Sequence, residues 1–498
     1  MNRLTIWYTS DIHGYLYDTD FIHPEPRDIG LLGFQFPKDG NTLVIDGGDT
    51  IQGSPLTYYC RSAGRPLPVA GAMNDLGYDY VTLGNHDFNN GHDYLAGYLN
   101  ALKAGCLCAN VTDSTGRLPI RPWTVRTLEN GTRVGLVGLV TNWVNLWEKP
   151  ENLAGLTISD PLPAAREAVA ALKREGVDVI VGIYHGGVER DPDTGRRLTD
   201  TDENIACRLC EEVPFDLLLT GHQHLAMVEK HWHGVHIVQT PANATHAVKV
   251  ELDESGAIHS SLIPARRGGV LTPGQGALRR WLEEWLDEPI GALSKAIWPV
   301  DKLTMAMRGS SIADFFNRVQ LWASGADVSC TALPNELRGF DSSVTVRDVV
   351  ASYVYANTLV VLAVTGRVLH RALEQCATYF DVNAAGNVTI AHPFLEPKEA
   401  HFNYDYFSGI EYTFDLSRPM GSRVVSMIRN GREVEEGDEL TLVMCDYRAT
   451  GAGNFDMYIG CRRVREIQTE ISQLIIDYIM EKKHIEIPDA HPIRVVGL

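Results

Sequence analysis

No apolar run in this 498-residue chain approaches the ~18 residues that a membrane span needs; the longest, "VGLVGLV" at 134–140, has the length of a buried strand. The N-terminal "MNRLTIWYTSDIHG" lacks signal-peptide anatomy, because its short apolar stretch runs at once into Asp and His. A cytoplasmic protein without membrane contact is therefore expected. Cysteine is sparse and odd in number, nine residues without framework spacing, which excludes a disulfide scaffold and fits a reducing compartment. The one CxxC, Cys207 and Cys210, falls inside the expected helix "DENIACRLCEEV". A redox pair should open a helix after a strand, and a zinc site needs two more ligands nearby, so the pair reads as structural. Positive charge is also short: 44 Lys and Arg against 63 Asp and Glu give a net charge of −19. That field repels a polyanion and excludes polymeric nucleic acid as the main partner. A small anion stays admissible where cations are concentrated locally, as bound metal ions would do. Internal repeats, low-complexity tracts and long like-charge runs are absent.

What is present is ordinary globular material, 44% hydrophobic and 21% charged, long enough for two to four domains. Residues 1–265 alternate short apolar runs ("LTIWYTS", "TLVIDGG", "DYVTLGN", "VGLVGLV", "DVIVGIYHGG", "FDLLLTGHQH") with amphipathic segments such as "PLPAAREAVAALKREG". This alternation predicts an α/β layered domain. The Gly-rich "ARRGGVLTPGQG" breaks it. The following "ALRRWLEEWLDEPIGAL" reads as a connector helix ended by Pro289, within a linker spanning 266–299. A second α/β unit is expected over 300–498, closing with the helix "EIQTEISQLIIDYIMEK".

The N-terminal strands end in metal-competent side chains. "LTIWYTS" runs into Asp11 and His13, "TLVIDGG" into Asp49, "DYVTLG" into Asn85 and His86, "DVIVGIY" into His185, and "FDLLLTG" into His222 and His224. One such end is a turn or a satisfied core residue. Five of them in one domain indicate a site at the carboxyl edge of the strands, where α/β sheets place ligands. Alternating positions of an extended chain share a side, so Asp11 with His13, and His222 with His224, are each expected to face one site. Leaving His86 aside, seven N/O donors without Cys exceed one tetrahedral ion and suit two ions sharing a carboxylate. Two-ion sites of that kind serve hydrolysis of phosphate esters.

The ordered motifs DxH, GD, GNHD, HGG and GHQH resemble the calcineurin-like metallophosphoesterase superfamily. "NWVNLWEKPENLAGL", "YHGGVERD", "YVYANTLVVLAVTG", "NYDYFSGIEYTFDLSRPMGSRV" and "DYRATGAGNF" extend the resemblance to its two-domain branch. That branch contains the 5′-nucleotidases and the 2′,3′-cyclic-nucleotide 2′-phosphodiesterase/3′-nucleotidases. The resemblance implies a four-layer metallophosphoesterase β-sandwich flanked by helices and a C-terminal α/β substrate domain of 5′-nucleotidase type. It implies one divalent ion on Asp11, His13, Asp49 and His224, and a second on Asp49, Asn85, His185 and His222. Asp46 is the competing carboxylate of "DGGD". Mixed N/O donors admit Mn, Zn, Fe, Co or Mg.

The resemblance also implies that His86 is the catalytic histidine. In typical 5′-nucleotidases an Asp three residues on pairs with it, whereas this chain has Asn89, as the cyclic-phosphodiesterase branch does. An amide orients an imidazole without charge stabilisation; Asp87 is the alternative partner, although an extended segment would point it away. Two aromatic rings sandwich the base in the family, and the matching positions are Tyr355 and Tyr447, flanked by Asn357 and Asp446 as ribose or base contacts. Arg338 is the nearest candidate for a phosphate contact. The expected substrate is a small nucleotide: a 2′,3′-cyclic nucleotide and then a 3′-nucleotide. The alternatives are a 5′-nucleotidase or nucleotide-diphosphate (sugar) hydrolase, or a nucleotide-binding protein without catalysis.

Overall fold

Strand Leu4–Thr9 alternates its side chains between two environments, and that alternation builds the first half of the molecule. Leu4, Ile6 and Tyr8 enter one apolar cluster with Leu43 and Ile45 of strand Thr42–Asp46, Val179, Val181 and Ile183 of Val179–His185, and Leu217 and Leu219 of Leu217–Thr220. The odd–even rule of a pleated strand therefore glues two sheets face to face. The structure, a computed structural model, describes residues 3–23, 25–65, 67–198, 202–355, 357–383, 386–396 and 399–497. It divides into two compact units, 1–283 and 284–498.

In the first unit a seven-stranded sheet runs Ile258–Pro264, His246–Leu252, Leu4–Thr9, Thr42–Asp46, Tyr80–Val81, Gly105–Leu107, Ile120–Arg121. A six-stranded sheet runs Met227–Trp232, Val235–Gln239, Leu217–Thr220, Val179–His185, Arg133–Val140, Trp123–Thr127. Leu4–Thr9, Thr42–Asp46, Tyr80–Val81 and Gly105–Leu107 are parallel neighbours in chain order. Arg133–Val140, Val179–His185, Leu217–Thr220 and Val235–Gln239 are likewise parallel. Parallel crossovers are right-handed, so the connections of each sheet fall on one face, the face away from the shared core. Helix Pro161–Glu175 shows why the sequence obeys. Asp160 caps its N-terminus through Leu162 N at 2.9 Å, and Gly176 ends it at φ 70°. Its Leu162, Ala165, Val169 and Leu172 bury a single stripe against Val137, Leu139, Ile180 and Leu218 on the outer face of the six-stranded sheet.

The second unit has a mixed five-stranded sheet in the order Asp405–Ser408, Val328–Ala332, Glu439–Cys445, Leu359–Thr365, Arg462–Ile467. Separate four- and three-stranded sheets accompany it. The connector helix spans Pro273–Leu286 and stops short of Pro289, and "PIGAL" forms strand Pro289–Leu293, paired with Ser343–Thr345 and His484–Ile485. Proline at 289 cannot extend the helix, and as the first residue of this central strand it is tolerated there. The final helix is Ile471–Lys482; Glu466 and Ile467, expected within it, finish a strand. Cys207 and Cys210 lie buried in helix Ala206–Glu212, and all nine cysteines are free. Among the described residues no helix is long and apolar enough to cross a membrane.

Candidate active site

The five metal-competent strand ends meet. Ligand atoms of Asp11, His13 and His224 lie within 4.8 Å of one another, and so do those of Asp49, His185 and His222. Asp11 and His13 share a group as expected. Strand alternation put His222 and His224 on one side, but they are divided between the two groups, in the division that the family resemblance implied. The reason lies in the backbone: Asp11, His13, Asp49, His222 and His224 have φ of 55°, 50°, 55°, 72° and 57°. None is extended, so strand alternation does not govern them. A left-handed non-glycine residue is uncommon, and a cluster of them marks strain held by the surrounding fold at a functional site. Close approach also constrains Gly84: a Cβ there would stand 2.1 Å from Asp49 Oδ1.

The donor chemistry fits cations. His185 Nδ1 lies 2.7 Å from the Gly47 carbonyl, which makes it the N–H donor and turns Nε2 inward. That Nε2 faces Asp49 Oδ2 at 3.1 Å and Asn85 Oδ1 at 3.1 Å. His13 Nδ1 donates to the Gln52 carbonyl (2.9 Å), so its Nε2 lone pair faces His224 Nε2 at 3.2 Å. His222 places Nε2 2.8 Å from Glu203 Oε1, and its Nδ1 faces Asn85 Oδ1 at 2.8 Å. Lone pairs thus converge on lone pairs. Asp49 Oδ2 and Asn85 Nδ2 are buried with no aligned hydrogen-bond partner, a costly state that ligation or further bonding must relieve. Burial and the neighbouring His224 push His13 down to about 4, leaving it neutral and able to ligate. Burial opposes charge on His185, but Asp49 and Asp11 overcome it and push the ring up to about 10. A metal ligating there must displace that proton, so binding releases protons.

The two other carboxylates are spent inside the fold. Asp46 accepts Thr9 Oγ1 and Thr50 Oγ1, each at 2.7 Å, and Gly48 N at 3.1 Å; burial pushes it up to about 7. It belongs to neither group of ligand atoms. Asp87 accepts four backbone N–H groups, from Asp49, Thr50, Ile51 and Gly84, at 2.8–3.1 Å. It is not the partner of His86. The stretch His86–Phe88 is a short 3₁₀ turn, not an extended segment, and it swings Asn89 under the ring, with His86 Nδ1 2.8 Å from Asn89 Oδ1. The His86 backbone N–H meets Asp49 Oδ1 at 2.7 Å, tying the histidine to that carboxylate.

Three supports had no sequence prediction. Glu203 holds His222. Trp147 stacks on the His222 ring, 5.4 Å between centroids and 22° apart. Glu148 Oε2 accepts Asn89 Nδ2 at 2.5 Å.

In the second unit, Leu359 pairs with Cys445 across neighbouring strands. Tyr355 lies four residues before Leu359 and Tyr447 two after Cys445, so both occupy one end of that strand pair. Asp446 N donates to Thr358 O at 3.0 Å and closes that end. Tyr447 is 48% exposed, which removes the core-residue explanation for it. Tyr355 is half-buried, edge-on to Tyr353 at 6.2 Å; burial, then Cys445 and Tyr447, raise its phenol pKa. Asp446 Oδ1 accepts Tyr447 N at 2.9 Å, and the Asn357 carbonyl accepts Ile471 N at 2.9 Å. Arg448 was not anticipated. Buried, it donates to both Asp405 oxygens (2.8 and 3.0 Å) and to the Phe402 carbonyl (2.8 Å), and anchors the loop that presents Tyr447. Arg338 is exposed.

A sandwich of two parallel-rich sheets with two adjoining N/O donor groups at its strand ends defines a metallophosphoesterase. Residues 4–226 match the calcineurin-like phosphoesterase family, and residues 289–459 match the 5′-nucleotidase C-terminal domain. A solved structure described as a candidate 5′-nucleotidase of Staphylococcus aureus, in complex with α-ketoglutarate, is 32% identical, with TM-score 0.72 and 99% of each chain covered. The trifunctional nucleotide phosphoesterase protein YfkN of Bacillus subtilis is 25% identical over 97% of this chain, which spans 38% of that protein's length. A 2′,3′-cyclic-nucleotide 2′-phosphodiesterase/3′-nucleotidase of Haemophilus influenzae is 23% identical over 96% of this chain and 84% of its own. The chain belongs to the 5′-nucleotidase family of calcineurin-like phosphoesterases. It is a hydrolase whose fold implies divalent metal ions.

Proposed function

We propose that the protein hydrolyses nucleotides, opening 2′,3′-cyclic nucleotides at the 2′ bond and then cleaving 3′-nucleotides. One observation carries the chemistry: Asp11, His13 and His224 form one group of N/O donors, and Asp49, His185 and His222 form a second that Asn85 Oδ1 joins, with buried Asp49 Oδ2 lacking an aligned hydrogen bond. Asp11, His13, Asp49 and His224 would hold one ion; Asp49, Asn85, His185 and His222 would hold the other. Divalent ions bound there supply Lewis acidity that activates water and offsets phosphate charge. Gln52 O and Gly47 O fix the tautomers of His13 and His185, as outer partners of ligating histidines do. His86, hydrogen-bonded through Nδ1, presents Nε2 to protonate the leaving 2′ oxygen. A pure binding protein has no use for such an oriented acid.

The substrate branch rests on Asn89 and on the activity in the H. influenzae relative's name. The S. aureus structure favours the second reading, a 5′-nucleotidase. Side-by-side kcat/KM values for 2′,3′-cAMP, 3′-AMP and 5′-AMP decide between them. The cyclic substrate is expected to be best, and a clear preference for 5′-AMP contradicts the proposal.

Base recognition belongs to the second unit. Stacking on one ring contributes ~1–3 kcal/mol, so Tyr447→Ala and Tyr355→Ala should each lower kcat/KM for a nucleotide by roughly 5- to 150-fold. Bis-p-nitrophenyl phosphate, which has no base, should be largely spared. Equal losses on both substrates with a lowered Tm would instead mark the tyrosines as structural.

A further inference from the structure

We propose that Glu148 is a positioning residue that fixes which nitrogen of His86 carries the proton, acting through Asn89. The proposal rests on the reading of His86 as the acid for the leaving oxygen.

The geometry is a relay of three side chains drawn from two distant segments. His86 Nδ1 is 2.8 Å from Asn89 Oδ1, and Asn89 Nδ2 is 2.5 Å from Glu148 Oε2. The other Glu148 oxygen accepts Lys149 N at 2.7 Å and Asn152 Nδ2 at 2.8 Å. Asn152 Nδ2 also reaches the Asn89 carbonyl at 2.9 Å, which holds the backbone of the relay in place. Glu148 directly follows Trp147, the ring stacked on His222, so one short turn supports both a ligand histidine and the acid.

An amide has a donor end and an acceptor end, and either can face an imidazole. Facing it with the carbonyl demands Nδ1–H; facing it with the NH₂ demands a bare Nδ1 and puts the neutral ring's proton on Nε2. Asn89 alone does not choose. A carboxylate only accepts, so Glu148 draws the Asn89 NH₂ toward itself and turns the carbonyl to His86. Nδ1 then keeps its hydrogen, and Nε2 is the nitrogen that gains and loses a proton. A charged partner therefore stands behind the amide, one hydrogen bond further from the ring than the Asp of typical 5′-nucleotidases. A bond to an ionised acceptor is also stronger than a neutral one.

The two-residue exchange makes this testable in the metal-loaded full chain. In Glu148→Gln, one Gln oxygen cannot serve both Asn89 Nδ2 and the donors Lys149 N and Asn152 Nδ2. When its NH₂ faces Asn89 the amide turns over and the His86 proton moves to Nε2. We expect kcat for 2′,3′-cAMP to fall by about 10–100-fold with KM little changed, the usual loss for such an outer-partner substitution. Asn89→Asp should also be impaired, because two carboxylates then face each other. The double variant Asn89→Asp/Glu148→Gln should recover most of the activity, since Asp accepts Nδ1–H and Gln donates to Asp. Impaired singles with a restored double form a coupling that simple loop damage does not produce. Long-range ¹H–¹⁵N spectra of histidine-labelled, zinc-loaded protein read the tautomer without turnover. His86 should be Nδ1–H in the parent and double variant and shift toward Nε2–H in Glu148→Gln. An unchanged tautomer in Glu148→Gln, or a double variant as poor as the product of the singles, overturns the proposal. A shifted tautomer with unchanged kcat supports the positioning role and overturns the acid role given to His86.

Discussion

Asp49→Ala is expected to abolish turnover and to lower the bound-metal count for both ions. Its carboxylate is the one group proposed to be shared. Oδ1 is engaged by the His86 backbone N–H at 2.7 Å, while Oδ2 points into the His185 group without an aligned partner. Removing it also strips His185 of the nearest charge that raises its pKa. His224→Ala, by contrast, removes a ligand from one group only and should chiefly empty that site. Elemental analysis of purified variants distinguishes the cases. Two ions per chain retained in Asp49→Ala would mean that the carboxylate is not the bridge.

The second large effect is expected at His86. His86→Ala should keep both ions and lose ~10²–10⁴ in turnover, the usual contribution of a positioned acid. The backbone N–H that binds Asp49 survives the substitution, so the metal groups keep that contact. The loss should be smaller for a substrate with a good leaving group, such as a p-nitrophenyl ester, because such an oxygen needs less protonation. Normal turnover in this variant, with metals bound, would leave the GNHD motif as no more than a carrier of the ligand Asn85.

The strand-end pattern was legible because it depends on local chemistry. A β-favouring run ending in Gly and then Asp, His or Asn is visible in ten residues, and five such ends in order named the family. The division of labour between His222 and His224 was legible only through the family resemblance; strand alternation alone put the two on one side. The division follows from left-handed φ at both residues, which no alternation rule anticipates. Local chemistry did not separate Asp46 from Asp49 in "DGGD", and only the family pattern favoured Asp49; the hydrogen bonds from Thr9 and Thr50 that occupy Asp46 are visible only in three dimensions. Glu203 and Glu148 left no local signal, because they act 19 and 59 residues from the groups they hold. Glu148 did lie inside the quoted "NWVNLWEKPENLAGL", where its acidity could have been set against the missing Asp at position 89. In the second unit the motifs pointed to Tyr355 and Tyr447 as the rings to test, but Arg448 left no such mark. A buried arginine paired with Asp405 looks, in sequence, like any surface cation within a loop.

The central claim is that these strand ends form one two-ion centre. Anomalous diffraction from crystals of the full chain soaked in Mn²⁺ tests it most directly. The account predicts two peaks about 3.5–4 Å apart, one among Asp11, His13, Asp49 and His224, the other among Asp49, Asn85, His185 and His222. A single peak, or peaks away from Asp49, would contradict it.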